Sequence, residues 1–265
     1  MSLDLARITL PQPHLYGLSY LVGCILLYAQ LSGALSKSKT KMSQKQVGDY
    51  VAVLMIGLVV GARFTFVLAS LRTPQALGGV AAEFYKEHPL EIFEFWHGGM
   101  SFYGGLIGSV IAGVIFASRN QLAKYQVADE TVLWAPVPLA IGRVATFLDQ
   151  NIPGRITDSP FGIQFGSLPG LRYPWHLFEA LAWVILLLPV LWVVRSKSFR
   201  RPGLVFWAFI AGYGCIRLVV EFFREPGLVF LGFPVAQYVS AAMILLGGVM
   251  LFTLLRGKKG TTCSI

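Results

Sequence analysis

Long apolar stretches separated by short polar ones set the pattern of this chain. They fall at about residues 14–31, 50–71, 101–118, 131–149, 177–194, 203–223 and 234–255. A helix needs roughly 20 apolar residues to cross the hydrocarbon core of a bilayer, and these stretches are near that length. The pattern predicts an all-α integral membrane protein with about seven transmembrane helices. The fourth stretch holds Pro136, Pro138, Gly142 and Arg143, so it should be kinked or end early. No connection is long enough to fold alone, which predicts a single polytopic membrane domain over residues 1–265. No internal repeat stands out, and the only biased segment is the Ser/Lys loop at 36–45.

Composition agrees. The chain is 55% hydrophobic and 13% charged, where soluble domains carry about 25% charged residues. Its net charge of +9 does not indicate nucleic acid, because the positive residues sit in short loops between apolar stretches. On one side lie Lys37, Lys39, Lys41 and Lys45; Arg119 and Lys124; Arg195, Lys197, Arg200 and Arg201; and Arg256, Lys258 and Lys259. These are thirteen of the 22 basic residues. The 72–100 loop opposite holds Glu83, Glu87, Glu91 and Glu94. The positive-inside rule then puts the C-terminus in the cytoplasm and, with seven spans, the N-terminus outside. Cys24, Cys215 and Cys263 form neither a metal-ligand spacing nor a disulfide framework. Leu21-Val22-Gly23-Cys24 has the look of a lipobox, but the apolar run continues through Leu27, as a first transmembrane helix requires.

Ionisable side chains at membrane depth cost about 2.5–3.5 kcal/mol each and are functional candidates by default. Here they are Arg63, Arg143, Glu179, Arg217 and Glu221, with Asp149 and His176 near span ends. Arg217 and Glu221 are four apart and share a helix face. An internal ion pair would account for Glu221 but less well for three arginines facing two deep carboxylates. Surplus buried guanidinium calls for an anion, and in a membrane a phospholipid phosphate is the evident one.

The motifs resemble the prolipoprotein diacylglyceryl transferase family, in order and over almost the whole chain. Tyr16-Gly17-Leu18 is similar to its Tyr-Gly-Leu element, and Gly61-Ala62-Arg63 to its Gly-x-Arg element. Gly98-Gly99-Met100-Ser101-Phe102-Tyr103-Gly104-Gly105 resembles its Gly-rich motif. Gly142-Arg143 and Gly154-Arg155 bracket what resembles its signature. Arg172 to Glu179 resembles its His-Pro-x-Gln-Leu-Tyr-Glu segment. Tyr213-Gly214-Cys215-Ile216-Arg217 and Glu221 to Pro226 resemble its last motif. Departures fall inside these motifs. Tyr103 stands at the usual motif histidine, Thr146 at an asparagine and Asn151 at a glutamate. Tyr173, His176 and Phe178 replace a histidine, a glutamine and a tyrosine.

The resemblance implies a bacterial cytoplasmic-membrane enzyme that moves diacylglyceryl from phosphatidylglycerol to the lipobox cysteine of an exported prolipoprotein. Glycerol phosphate leaves, and neither a metal nor a soluble cofactor is involved. Carried over residue by residue, it assigns Arg143 and Arg217 to the phosphate and Tyr103 to the vicinity of the thiol. Tyr16, Arg63 and Arg224 fall to the headgroup, Glu221 to orienting Arg217, and Gly104, Gly154 and Tyr213 to the substrate-binding motifs. Two alternatives stay open: a paralogue of the same fold with another acceptor or lipid, and a non-catalytic protein that binds lipid or lipoprotein.

Overall fold

The structure, a computed structural model, describes residues 12–35, 42–72, 82–94, 99–150, 152–198, 201–227 and 229–256, with side chains of the first helix from Leu21 onward. Ten α-helices occur among the described residues: α1 (Gln12–Leu35), α2 (Gln44–Arg72), α3 (Ala82–Glu87), α4 (Phe102–Arg119), α5 (Lys124–Val132), α6 (Pro136–Leu148), α7 (Trp175–Leu181), α8 (Leu188–Ser198), α9 (Leu204–Val220) and α10 (Val235–Arg256). A π-helical stretch, Ala182–Leu187, joins α7 to α8.

Each of the seven apolar stretches coincides largely with helix. Gln44–Leu71, Phe102–Arg119, Trp175–Ser196 and Val235–Arg256 are long and apolar enough to cross a membrane. Helices α5 and α6 make a fifth crossing if taken together, with a 43° bend between them. The break falls where the prolines predict it. Pro136 has no N–H to donate to a preceding turn, but at the first position of α6 none is needed. Leu204–Val220 and Leu21–Ala34 are apolar and shorter.

The expectation of an all-α chain is corrected to a mostly helical one. β1 (Ile163–Gln164) pairs with β2 (Leu171–Arg172), and β3 (Val229–Phe230) with β4 (Phe233–Pro234), both antiparallel. Both hairpins lie in connections between apolar helices, where backbone groups outside the helices pair with each other.

By internal contacts the chain divides into two compact units, Leu31–Val127, and Met1–Gln30 with Ala128–Ile265. In the first, Ser43 and Gln46 form a reciprocal cap at the start of α2: Ser43 N donates to Gln46 Oε1 (2.9 Å) and Gln46 N to Ser43 Oγ (3.2 Å). Tyr50 meets Phe116 with centroids 5.3 Å apart. Ser109 Oγ donates to the Leu54 carbonyl at 3.2 Å. Gly57 and Gly61 lie against Gly108 and Gly104. Partner numbers fall on α4 as they rise on α2, so the two helices run antiparallel. Their backbones touch: a Cβ on Gly108 would stand 2.1 Å from the Gly57 carbonyl oxygen. Small residues at such a crossing give close van der Waals packing where lipid supplies no hydrophobic drive.

In the other unit, Trp183, Leu187, Leu191, Val205, Phe209 and Tyr213 form a buried core between α8 and α9 and their neighbours. One end of α9 is polar and basic. Asp129 accepts from the Gly203 and Phe206 amides, both at 2.8 Å, and so caps α9 from another helix. Arg195 pairs with Glu130, and Arg201 donates to the Leu254 and Leu255 carbonyls at the end of α10. The other end of α9 carries Arg217 and Glu221.

Gly108→Ala should loosen the α2–α4 crossing. Forced separation of packed groups costs about 1–3 kcal/mol, so thermal melting of the purified protein in detergent should shift down. An unchanged melting temperature would mean that the crossing is not tight.

Candidate functional site

Three elements bring the deep charges together. Arg143 comes from α6, Glu179 from α7, and Arg217 with Glu221 from the end of α9. Arg143 Nε lies 2.6 Å from Glu179 Oε2, and Arg217 Nη1 lies 3.5 Å from the same oxygen. Arg217 Nη2 donates to Glu221 Oε2 at 2.8 Å. Arg224, just past α9, places Nη1 3.6 Å from that Glu221 oxygen. Two carboxylates thus hold three guanidinium groups. Glu179, Glu221 and Arg217 are buried, while the side chains of Arg143 and Arg224 keep 17% and 20% exposure.

Trp175 lies among them, fully buried. The guanidinium carbons of Arg143, Arg217 and Arg224 lie 5.2, 5.5 and 5.5 Å from its ring centroid. The negative face of an indole attracts such cations, most strongly out of water. Its Nε1 donates to the Ile152 carbonyl at 2.9 Å, and the His176 ring stacks on it at 3.8 Å. Behind it, Trp183 stands 5.6 Å from Arg143 and stacks on Tyr213.

The positive charge is not fully matched. Burial, and next the charge of Arg217, hold the Arg224 guanidinium below the ordinary arginine pKa. Arg224 Nε, Glu179 Oε1 and Trp183 Nε1 are buried without a hydrogen-bond partner among the described residues. An anion beside the two partly exposed arginines would offset the surplus charge and could accept from Arg224 Nε.

The loop before α7 holds Arg224 in place. Arg155 N donates to Phe223 O (3.0 Å), and Arg155 Nε to Arg224 O (3.0 Å). Arg172 Nη1 donates to Gly154 O (2.9 Å) and Glu225 Oε2 (3.0 Å). Gly154 pairs with Arg224 in an isolated bridge. A Cβ on Gly154 would stand 2.1 Å from the Tyr173 carbonyl oxygen, so only glycine fits this backbone crossing.

Of the residues singled out in the sequence, Arg143, Arg217, Glu221 and Arg224 meet in one cluster. Tyr213 backs it, and Gly154 lies in the loop that holds it. Arg63, Tyr103 and Gly104 belong to the other unit. There Arg63 donates to the carbonyls of Glu91, Ile92 (3.0 Å) and Gly99 (3.2 Å). Gly104 lies at the α2–α4 crossing, and Tyr103 is half-buried beside Phe102. The side chain of Tyr16, along with Asn151, lies outside the described residues. Trp175 and Glu179 complete the cluster. Trp175 was not legible, since its one signal is a tryptophan after proline at the start of an apolar helix.

Helices of membrane-crossing length and a buried cluster of guanidinium and carboxylate groups define a polytopic membrane protein with a charged site among its helices. The profile of prolipoprotein diacylglyceryl transferase matches residues 5–253. The chain is 37% identical over 256 residues to the phosphatidylglycerol–prolipoprotein diacylglyceryl transferase of Geobacter sulfurreducens, covering 92% of each chain. It is 37% identical to that of Bordetella parapertussis, covering 91% of this chain and 90% of that one. With that of Francisella tularensis subsp. novicida it shares 34%, covering 94% and 92%. The chain belongs to the prolipoprotein diacylglyceryl transferase family.

Trp175→Leu should weaken binding of an anionic phospholipid by about tenfold or more, since a desolvated cation–π contact is worth about 2 kcal/mol. Trp175→Phe should retain most of the affinity. Titration calorimetry in mixed micelles measures both, and equal affinities in the two variants would rule out the ring as a cation partner.

Proposed function

We propose that this chain is a phosphatidylglycerol–prolipoprotein diacylglyceryl transferase of the bacterial cytoplasmic membrane. It works as one polytopic domain with seven spans, N-terminus outside and C-terminus cytoplasmic. Family membership supports the reaction, and the surplus of guanidinium charge around Trp175 is the observation that carries it.

The reaction is a displacement. The lipobox cysteine loses its proton, which ends on the departing glycerol phosphate or in water, and the thiolate is the nucleophile. Sulfur bonds to the glyceryl carbon that carries the phosphodiester, and the carbon–oxygen bond to phosphate breaks. Diacylglyceryl remains on sulfur as a thioether, and glycerol phosphate departs. Negative charge grows on the departing phosphate, and fixed guanidinium groups in a water-poor site stabilise it as it grows. Arg143 and Arg224, the partly exposed pair, meet the incoming phosphate. Arg217, paired with Glu221 and sharing Glu179 with Arg143, donates to the phosphate from behind that pair. The family resemblance assigns Tyr103 to the vicinity of the thiol, and Tyr16 and Arg63 to the headgroup. Gly154 and Tyr213 serve as backbone and packing partners of the arginine site, and Gly104 falls in a motif that the resemblance assigns to substrate binding.

Arg217→Ala should lower transfer of labelled diacylglycerol to a lipobox peptide by at least about 10²–10³-fold, the typical cost of losing one transition-state donor. Tyr103→Phe keeps the ring and loses one hydrogen bond, worth about 0.5–1.5 kcal/mol, so it should cost about tenfold at most. Near-normal transfer by Arg217→Ala would remove the arginine from the phosphate. Complete loss in a folded, lipid-binding Tyr103→Phe would make the phenol the proton acceptor. Failure of the unmutated chain to rescue cells depleted of their own transferase would favour the lipid-binding alternative.

The thirteen basic residues on one set of loops support a cytoplasmic position for that side by the positive-inside rule. A reporter fused after Lys259 should therefore behave as cytoplasmic, and periplasmic activity there would reverse the orientation.

A further inference from the structure

The connection from α9 to α10 ends in a hairpin that the arginine site does not use. β3 and β4 pair through Val229↔Pro234 and Phe230↔Phe233. Their large apolar side chains stand out of the fold: Val229 is 53% exposed, Phe230 61%, Leu231 79% and Phe233 59%. Leu231 has φ 47° and Gly232 φ 85°. Two successive left-handed residues suit the twist of a two-residue hairpin, but the first is usually Asn, Asp or Gly. A leucine there sets its Cβ against its own carbonyl. Packing does not offset that strain, because Leu231 is the most exposed large hydrophobic side chain among the described residues.

The hairpin is nonetheless held firmly. Tyr238, in the first turn of α10, donates its hydroxyl to Phe230 O at 3.1 Å. Its ring lies edge-on to both Phe230 and Phe233, each 6.3 Å away. Pro234 leads directly into α10, whose exposed Leu245, Leu246, Val249 and Phe252 make a face suited to lipid. No charged residue occurs from Pro226 to Leu255. The uncharged surface of a membrane-length helix therefore runs on into the hairpin tip, with only Gln237 and Tyr238 as polar side chains in its first turn. A tyrosine at that junction fits the bilayer–water boundary.

We propose that the β3–β4 hairpin is a membrane wedge. Phe230, Leu231 and Phe233 enter the headgroup and upper acyl region of the leaflet at that end of α10. The wedge sets the depth of the segment that begins with Arg224, five residues before Val229. It also disturbs lipid packing beside the arginine cluster, where a phospholipid must leave the bilayer plane. A bilayer is the partner of matching chemistry, since the tip is wide, apolar and uncharged, with an aromatic belt residue at its base.

The test needs no turnover, so it decides the proposal even for a chain that transfers nothing. Leu231→Cys is made with Cys24, Cys215 and Cys263 replaced by alanine, and labelled with nitrobenzoxadiazole. The protein is placed in nanodiscs of phosphatidylglycerol and phosphatidylethanolamine. Blue-shifted emission is expected, quenched strongly by lipids doxyl-labelled near the top of the acyl chain and weakly by aqueous iodide. The reverse pattern would put the tip in water and overturn the proposal. Protection from iodide that appears only with added lipobox peptide would make the hairpin a peptide site and overturn it too. A second label, at Phe233→Cys, reads the depth of the hairpin in Leu231→Gly and Leu231→Asp. Leu231→Gly relieves the left-handed backbone, so it should melt no lower than the parent while the 233 label moves toward water. Unchanged lipid quenching at 233 in both variants would show that the tip holds no depth.

Discussion

Removing a guanidinium from water costs several kcal/mol unless charge and hydrogen bonds replace the solvent. Three such groups meet around one indole in this protein, and two carboxylates serve them all. Glu179 is shared by Arg143 and Arg217, and Glu221 by Arg217 and Arg224. Sharing leaves one positive charge in excess. The excess sits on Arg143 and Arg224, which keep some exposure, and not on Arg217, which both carboxylates contact. The cluster therefore presents its unmatched charge where an anion can arrive and keeps its matched charge inside.

That arrangement depends on a backbone clamp as much as on the helices. Arg143, Glu179 and Arg217 are carried by helices and need only the helix packing to meet. Arg224 lies beyond the end of α9, where helical hydrogen bonds no longer fix the backbone. Arg155 binds its carbonyl, Gly154 pairs with it, and Arg172 ties Gly154 to Glu225. Trp175 joins the same loop through Ile152. One loop thus positions both the third cation and the ring that the cations face.

The helices were legible because apolar length is a strong, local signal. The break in the fourth stretch was legible from Pro136, whose missing N–H has a definite consequence. Arg143, Arg217, Glu179 and Glu221 were legible because charge at membrane depth needs a partner. The third deep arginine lies among different partners. Arg63 is as deep in its stretch, but its guanidinium serves three carbonyls of a loop in its own unit. Arg224 lies past the apolar stretch and is set by Arg155, 69 residues away in sequence. A separation of that size leaves no trace in local pattern. Trp175 was hidden differently, since a tryptophan at a helix start usually reads as core or interfacial belt.

The departures from the family pattern change the kind of force around the arginines. Thr146 stands at an asparagine position and gives its hydroxyl to the Gly142 carbonyl of its own helix, so it offers the cluster no donor. Phe178 stands at a tyrosine position and packs on Phe223 and Tyr173. His176 stands at a glutamine position, stacked between Trp175 and Phe165. The side chains around the arginines offer mainly aromatic faces. A hydrogen bond fixes one atom within a narrow angle, whereas a ring attracts a cation over a broad area. Three guanidinium groups at nearly equal distance from one centroid suit the second kind of force. Such a wall can keep cations gathered without specifying the orientation of each. The carboxylates Glu179 and Glu221 then become the groups that orient the arginines, and the remaining directionality of the site rests on them.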